Sequence, residues 1–251
     1  MISQLDSPFI KKVQFKTESI PSFDEYPFHL PFIQSAGIEF HPRVTYIIGE
    51  NGMGKSTLLE AIAVASGFNP EGGTLNFNFS THDSHSELGN YIKLIKGIKR
   101  PKDGFFLRAE TFYNVATNIE ELDSEPGGGR IIDSFGGKSL HRQSHGESFF
   151  AVFNHRFRGN GIYILDEPEA ALSPLRQLSM LSRMHDLMMA NSQFIIATHS
   201  PLLMAYPDSK ILEVTEDGLC EKPLEETSHY VMMKQFFDDK ERLLHHLLHT
   251  N

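Results

Sequence analysis

The sequence predicts an α/β fold with a mainly parallel central sheet, an antiparallel β edge and a helical subdomain. Three short apolar runs, residues 44–48, 162–165 and 194–197, have the composition of buried parallel strands. Helical patterns alternate with these runs, as they do in sheets with helices on both faces. About 40% of the 251 residues are hydrophobic, which is enough for one sizeable core.

The first half of the chain adds five predicted elements around the first apolar run. Residues 9–16 are strand-like, and three prolines among the aromatic residues of 21–32 predict a loop. Residues 56–65 carry an apolar helical face and predict a helix. The polar residues 69–90 predict a loop or a weak hairpin, and residues 91–98 predict a helix.

The second half adds further elements around the other two runs. Residues 105–107 predict a strand, and residues 125–138, with five glycines, predict a mobile loop. Residues 147–157 are strongly apolar and predict a helix, as do residues 174–190, which have proline near the start. The chain is predicted to end in a hairpin of two strands and an amphipathic helix, at residues 210–214, 218–222 and 230–249.

Composition restricts the classes of protein to which the chain can belong. The single cysteine, Cys220, excludes an intrachain disulfide and fits a reducing compartment. No apolar run approaches the roughly 20 residues of a membrane span. We therefore expect a cytoplasmic protein without direct membrane insertion. The formal net charge of −9 gives no support for nucleic-acid binding.

Residues 49–57 read Gly-Glu-Asn-Gly-Met-Gly-Lys-Ser-Thr and match the phosphate-loop pattern G-x-x-x-x-G-K-[ST] between a predicted strand and a predicted helix. Glycines let successive backbone N–H groups point at phosphate oxygens, and the helix start adds a positive dipole end. Lys55 would reach the β- and γ-phosphates, and the Ser56 hydroxyl would bind Mg²⁺. The predicted ATP-binding residues are Gly49, Asn51, Gly52, Met53, Gly54, Lys55, Ser56 and Thr57.

Asp166 and Glu167 follow the second apolar run, at the sheet edge where α/β proteins bind ligands. Asp166 is predicted to hold Mg²⁺, and Glu167 to activate the attacking water as general base. His199 follows the third run and is predicted to contact the γ-phosphate or that water. Glu169 is interpreted as a surface residue.

Together these motifs resemble those of the ABC ATPase superfamily. Asp166-Glu167-Pro168 is similar to its metal motif, residues 171–174 to its dimer-contacting loop, and His199 to its switch histidine. The signature of the superfamily is Ser-Gly-Gly-Gln. A similar segment in this chain has His in place of the first Gly and Glu in place of Gln: Ser144, His145, Gly146 and Glu147. The resemblance implies an ATPase that forms an ATP-dependent homodimer, in which this segment binds the γ-phosphate of the nucleotide on the partner subunit.

The resemblance covers about residues 40–215 and is closer to stand-alone AAA-type and SMC-like DNA-repair and defence ATPases than to transporter subunits. Transporter subunits carry a glutamine between the phosphate loop and the signature, but residues 58–142 contain none. Glu110 or Arg108 is the proposed substitute. The resemblance implies an ATP-driven switch for an unknown soluble effector. The alternatives are a transporter ATPase subunit and a nucleotide sensor with little turnover.

The whole chain is predicted to be one ABC-type domain, with residues 1–70 and 159–251 as nucleotide-binding core and residues 71–158 as a helical insert that carries the signature. Tyr26 and Phe28 would suit adenine stacking in this superfamily, but core packing is the preferred interpretation.

Three clusters leave a functional and a structural interpretation open. A basic cluster around Gly97 would suit nucleic acid, but a solvated helix face is the preferred interpretation. Two histidine groups could bind a metal, but one shows no third ligand and the other lies in a loop that is polar throughout. The basic cluster is Lys93, Lys96, Lys99, Arg100 and Lys102, and the histidine groups are His245 with His249 and residues 82–85.

Overall fold

A computed structural model of the protein describes residues 7–75, 86–124, 130–143 and 145–249. Its strands are β1 Ile10–Phe15, β2 Ile38–Glu39, β3 Val44–Gly49, β4 Ile92–Lys96, β5 Asp103–Arg108, β6 Gly161–Asp166, β7 Gln193–Ala197, β8 Lys210–Thr215 and β9 Gly218–Glu221. Its α-helices are α1 Lys55–Ser66, α2 Phe112–Ser124, α3 His145–Ala151, α4 Pro174–Met189, α5 Pro201–Met204, α6 Ser228–Asp238 and α7 Lys240–His249.

The main sheet has six strands in the order β5-β6-β7-β3-β8-β9. The first five are parallel, and β9 pairs antiparallel with β8 as a hairpin. A second, antiparallel sheet has the order β2-β1-β4. The predicted fold class is therefore confirmed: an α/β fold with a mostly parallel central sheet, an antiparallel edge and helices.

Two hydrophobic clusters cover the two faces of the main sheet. Along β3, Val44, Tyr46 and Ile48 belong to one cluster and Ile47 to the other, since successive strand residues point to opposite faces. The first cluster also contains the buried apolar residues of α2, α3 and α4, and the second contains those of α1 and of the antiparallel sheet. Burial on both faces explains why the central strands are continuous apolar runs.

Residues 91–98, predicted as a helix, instead contain strand β4. It pairs with β1 over Ile10–Phe15, so sheet pairing overrides the local helical pattern. Gly97 ends the strand against Pro8, where an added Cβ would lie 1.9 Å from the Pro8 carbonyl oxygen. Lys93 and Lys96 of the basic cluster therefore lie on a strand, and the interpretation of that cluster as a helix face is wrong.

The C-terminal segment, predicted as one helix, forms the two helices α6 and α7. Asp239 separates them with an extended φ of −145°, and its carboxylate accepts a hydrogen bond from the Arg242 backbone N–H at 3.2 Å. An aspartate in this role begins a new helix rather than continuing the old one. No residue of either helix is buried in the described part of the chain.

Three of these strands and α-helices were not predicted from the sequence, namely β2, α2 and α5. Within the predicted loop 125–138, residues 131–135 form a 3₁₀-helix, and residues 125–129 lie outside the described ranges. The division into a core and an insert at residues 71–158 stays a prediction. Strands β4 and β5 of that segment pair with strands from the rest of the chain.

Candidate functional site

The turn between β3 and α1 depends on glycines at two close contacts. Gly49 and Gly54 have φ of 143° and 81°, in the region that favours glycine. A Cβ on Gly49 would lie 2.6 Å from the Val214 carbonyl oxygen, and one on Gly54 would lie 2.6 Å from the Leu30 side chain. The backbone can therefore curl tightly before α1 begins at Lys55, so the helix start faces the carboxyl edge of the sheet.

Lys55 lies beneath this turn with only 4% of its surface exposed. Its Nζ donates hydrogen bonds to the carbonyl oxygens of Gly49 at 2.8 Å and Glu50 at 3.0 Å. Burial lowers the pKa of Lys55, while the nearby Glu167 and Asp166 carboxylates act in the opposite direction. The loop thus holds a cation close to two acidic groups.

Ser56 and Asp166 bring the two main sequence motifs together. The Ser56 hydroxyl donates to Asp166 Oδ1 at 3.0 Å across 110 positions of sequence. Asp166 ends β6 and is 5% exposed; burial raises its pKa to about 6, against the opposing effects of Arg108 and Ser56. A hydroxyl and a carboxylate at this separation form an oxygen donor set that fits Mg²⁺.

Glu167 and His199 lie side by side at the same edge. Glu167 has a left-handed backbone, with φ of 49°, and its Oε1 lies 3.4 Å from His199 Nε2. Burial lowers the pKa of His199, and the Lys55 cation lowers it further. A carboxylate beside an imidazole is an arrangement suited to accepting and relaying a proton.

Glu169 contributes to the site, so its interpretation as a surface residue is wrong. Its Oε1 accepts the backbone N–H of His199 at 2.5 Å, and its Oε2 is buried. Burial raises the pKa of Glu169. The short 3₁₀-helix Pro168–Ala171 turns this side chain back towards β7, which the sequence alone did not indicate.

His229 is a site residue that sequence reasoning missed. It lies in the first turn of α6, and its Nε2 is 2.9 Å from His199 Nδ1. Its own Nδ1 is 3.3 Å from the Ser228 hydroxyl, which donates to the Glu213 carboxylate. No motif connects positions 199 and 229, so only the folded structure reveals this contact.

Arg108 and Glu110, the two suggested substitutes for the missing glutamine, have different surroundings. Arg108 Nη1 donates to Glu60 Oε2 at 2.6 Å, and Arg108 Nε lies 3.7 Å from Asp166 Oδ2. The Glu110 side chain is 86% exposed and lies 3.8 Å from Arg108 Nη2. Of the two, Arg108 is the residue that contacts the carboxylate at the end of β6.

The signature segment lies next to the loop that follows Glu167. Ser144 and the side chain of His145 lie outside the described residues. Gly146 packs so closely on this loop that a Cβ would lie 2.5 Å from the Ala171 carbonyl oxygen. Glu147 is about half exposed, with Oε1 3.9 Å from Arg176 Nη2.

The two upstream aromatic residues have opposite environments. Phe28 is 4% exposed and packs edge-on against Tyr91 at 4.8 Å between ring centroids. Tyr26 is 60% exposed, and its hydroxyl contacts the Thr57 hydroxyl. A cavity of about 620 Å³ beside Tyr26 is also lined by Ser56 and Arg108. The core-packing interpretation therefore fits Phe28 but not Tyr26.

Comparison with solved structures places this fold among ABC-type ATPases. cbiO1 from Clostridium perfringens, part of the ABC transporter complex cbiONQ, is 17% identical with a TM-score of 0.50, over 97% of this chain and 100% of that one. An inward-facing ABC transporter assigned to the metal-chelate type is 14% identical with a TM-score of 0.50, over 91% and 88%. The SMC head domain from Thermotoga maritima is 17% identical with a TM-score of 0.43, over 85% and 98%.

Two family models match the sequence. One is described as an AAA domain and matches residues 29–155. The other is an AAA-domain model whose description names an AbiEii toxin of a type IV toxin–antitoxin system, and it matches residues 139–205. The search of curated proteins found no match to this chain. Among the described residues, no helix combines the length and hydropathy needed to cross a membrane.

The two models and the fold confirm the predicted resemblance to AAA- and ABC-type ATPases, and the fold supports nucleotide hydrolysis in general. Because the first model spans just over half of the sequence, the chain belongs to this family of AAA-domain proteins.

Proposed function

We propose that the protein binds ATP with Mg²⁺ between two subunits and hydrolyses it as a switch for a soluble effector. The observation that carries the proposal is the hydrogen bond between Ser56 and Asp166. It joins the helix after the phosphate loop to the acidic end of β6, next to Lys55 and Glu167. Each of these groups has a distinct use in phosphoryl transfer.

In this proposal Ser56 and Asp166 would hold Mg²⁺, which neutralises charge on the β- and γ-phosphates when bound. The backbone N–H groups of residues 49–57 and Lys55 bind the phosphates. Glu167 accepts a proton from the attacking water, and His199, 3.4 Å from it, orients the water or the γ-phosphate. The chain therefore acts mainly by positioning groups and by electrostatics.

The proposed dimer rests on the position of the signature segment. Gly146 and Glu147 lie in the first turn of α3, which packs on the loop after Glu167. In a head-to-tail dimer, Ser144 and Gly146 of one subunit would bind the γ-phosphate on its partner. Loss of that phosphate would then remove the charge that bridges the two subunits, and the dimer would open. The likeness to transporter ATPases concerns the fold and supplies no membrane partner.

The first experiment compares wild type with Glu167→Gln in ATP binding and phosphate release. We expect the variant to keep the ATP dissociation constant but to lose about 10²–10⁴-fold in kcat, because a general base is removed. Glu216→Gln, an exposed residue in the turn between β8 and β9, is the matched control and should behave as wild type. Turnover of Glu167→Gln near the wild-type rate would refute the role of Glu167, and wild type that does not bind ATP would refute the proposal as a whole.

An ATP-dependent pull-down with Glu167→Gln as bait can identify the effector, because this variant should hold the closed dimer. Recovery of a soluble protein in the presence of ATP, and its loss with Lys55→Ala, would support the switch. Recovery of a membrane permease would instead identify a transporter subunit.

A further inference from the structure

A cavity of about 350 Å³ lies at the edge of the main sheet opposite to the phosphate loop. Three of its lining residues come directly before parallel strands: Arg43 precedes β3, Asn160 precedes β6 and Ser192 precedes β7. They therefore lie at the amino ends of the strands, whereas Asp166 lies at a carboxyl end. A six-residue strand is about 20 Å long, so the two sites are separate.

Positive charge is concentrated around this cavity, although the chain as a whole carries −9. Of its eleven described lining residues, none is acidic and four are cationic, namely Arg43, Lys99, Arg100 and Lys102. The guanidinium of Arg43 lies 3.8 Å from the Asp208 carboxylate, so part of its charge is balanced. The other three side chains extend from the connection between β4 and β5. Cations around a concave surface raise the local concentration of anions.

Ser192 supplies an independent observation within the cavity. It is 3% exposed, and its hydroxyl has no hydrogen-bond partner among the described residues. Buried hydroxyl groups are nearly always hydrogen-bonded, because burial without a partner is unfavourable. A ligand oxygen in the cavity would provide the partner.

The cavity also has an apolar wall formed by Phe9 and Met188, which are 7% and 5% exposed. Small-molecule sites generally combine such a wall with a few polar groups and occupy about 300–1,000 Å³. The cavity matches this composition and lies within this size range.

We propose that this cavity binds a small phosphate monoester with an apolar or aromatic body. Lys99 and Arg100 attract and hold the phosphate, as cationic side chains do when they form charge-assisted hydrogen bonds. The Ser192 hydroxyl donates to a phosphate oxygen, and the organic body packs on Phe9 and Met188. Two cations of the basic cluster in the sequence thereby acquire a role that the ATP site does not give them.

The test is calorimetric titration of the full chain with phenyl phosphate, with phenol as the uncharged control probe. We expect wild type to bind phenyl phosphate and not phenol. The double variant Lys99→Glu/Arg100→Glu should weaken binding by at least about tenfold, because it reverses two charges at the cavity. Ser192→Ala, which removes one hydrogen bond, should weaken it by roughly three- to tenfold.

Two controls separate this site from long-range charge effects and from the phosphate loop. Lys234→Glu/Lys240→Glu changes the net charge by the same amount at exposed positions on α6 and α7 and should leave the affinity within about twofold of wild type. Lys55→Ala should also leave it unchanged. No binding to wild type, or binding lost in Lys55→Ala but kept in Lys99→Glu/Arg100→Glu, would overturn the proposal and leave the assignment of the ATP site untouched.

Discussion

The imidazole rings of His199 and His229 are joined by a hydrogen bond of 2.9 Å between Nδ1 and Nε2. On its other side, His199 Nε2 lies 3.4 Å from Glu167 Oε1. The ring of His199 is therefore held between the acidic end of β6 and the first turn of α6. This contact connects the carboxyl edge of the sheet to the exposed C-terminal helices, and we expect His229 to position His199.

Removal of this contact is expected to slow turnover without weakening ATP binding. His229→Ala should lower kcat by roughly three- to tenfold, the effect of one hydrogen bond, because His199 then samples other ring orientations. The ATP dissociation constant should stay constant, since the hydrogen bonds of His229 go to His199 and Ser228. Steady-state phosphate release and equilibrium nucleotide binding measure the two quantities.

The matched control is His245→Ala, an exposed histidine on α7. His229→Gln should recover part of the lost rate, because an amide can still hydrogen-bond to His199. A His229→Ala variant with normal kcat, whether or not its ATP binding is weaker, would show that His229 does not position His199.

The pKa of Asp166 predicts how stability depends on pH in the absence of Mg²⁺. Burial raises this pKa to about 6, above the roughly 3.9 of an unfolded chain. The folded state therefore binds this proton more tightly. The stabilisation of the folded state by this bound proton is present below about pH 4 and is lost as the pH rises through about 6.

Asp166→Asn, which is neutral at every pH, should therefore be more stable than wild type at pH 8 in EDTA. We expect an increase in the free energy of unfolding of about 1–2 kcal/mol, because the neutral amide avoids burial of a charge, and little difference at pH 4. Urea denaturation measures both values, with the exposed Asp208→Asn as control. Equal stability of Asp166→Asn and wild type at pH 8 would contradict the raised pKa.

The Arg108–Glu60 ion pair should stabilise the fold far more than an exposed pair does. The two side chains are 16% and 9% exposed and lie 2.6 Å apart, so loss of the arginine leaves a buried carboxylate without its main counter-charge. Arg108→Met should cost about 3 kcal/mol of unfolding free energy. Lys12→Met, which breaks the more exposed pair with Glu39, should cost less than about 1 kcal/mol. Similar losses in urea denaturation for the two variants would refute this difference.

ATP should drive dimerisation through the signature segment. Glu167→Gln with ATP and Mg²⁺ should elute at twice the monomer mass in size-exclusion chromatography with light scattering. Addition of Glu147→Ala should weaken that dimer by roughly tenfold, as removal of a hot-spot residue does. Because Glu147 is about half exposed, the substitution should leave the monomer folded. A dimer of equal stability with and without Glu147 would exclude this residue from the interface.

Sequence patterns predicted the elements whose burial leaves an unambiguous signal. Strands β3 and β6 are buried along their whole length, so they are continuous apolar runs. Helix α2 was missed although Phe112, Val115 and Ile119 are buried at helical spacing, because its polar residues obscured the pattern. Strand β4 was mistaken for a helix, because its pairing with β1 is a tertiary contact between distant residues.

The candidate site likewise contains residues that local sequence patterns identify and residues that they do not. Lys55, Ser56 and Asp166 lie in short motifs whose spacing reflects a local backbone requirement, so they could be identified from the sequence. Arg108, Glu169 and His229 act through contacts with residues far along the chain or in a neighbouring turn. The pairing of Arg108 with Glu60, for example, spans 48 positions and follows no local pattern.

The contact between Ser56 and Asp166 has a consequence for the order of folding. It closes a loop of 110 positions, and β7 lies in the sheet between β6, which ends at Asp166, and β3, which leads to the helix of Ser56. Parallel strands with long connections pair slowly, because the loop-closure entropy must be lost before the contacts form. In a chain growing on the ribosome, the phosphate loop is therefore synthesised long before β6 and β7. Nucleotide binding should thus appear late and all at once, which makes it a sensitive reporter of complete folding.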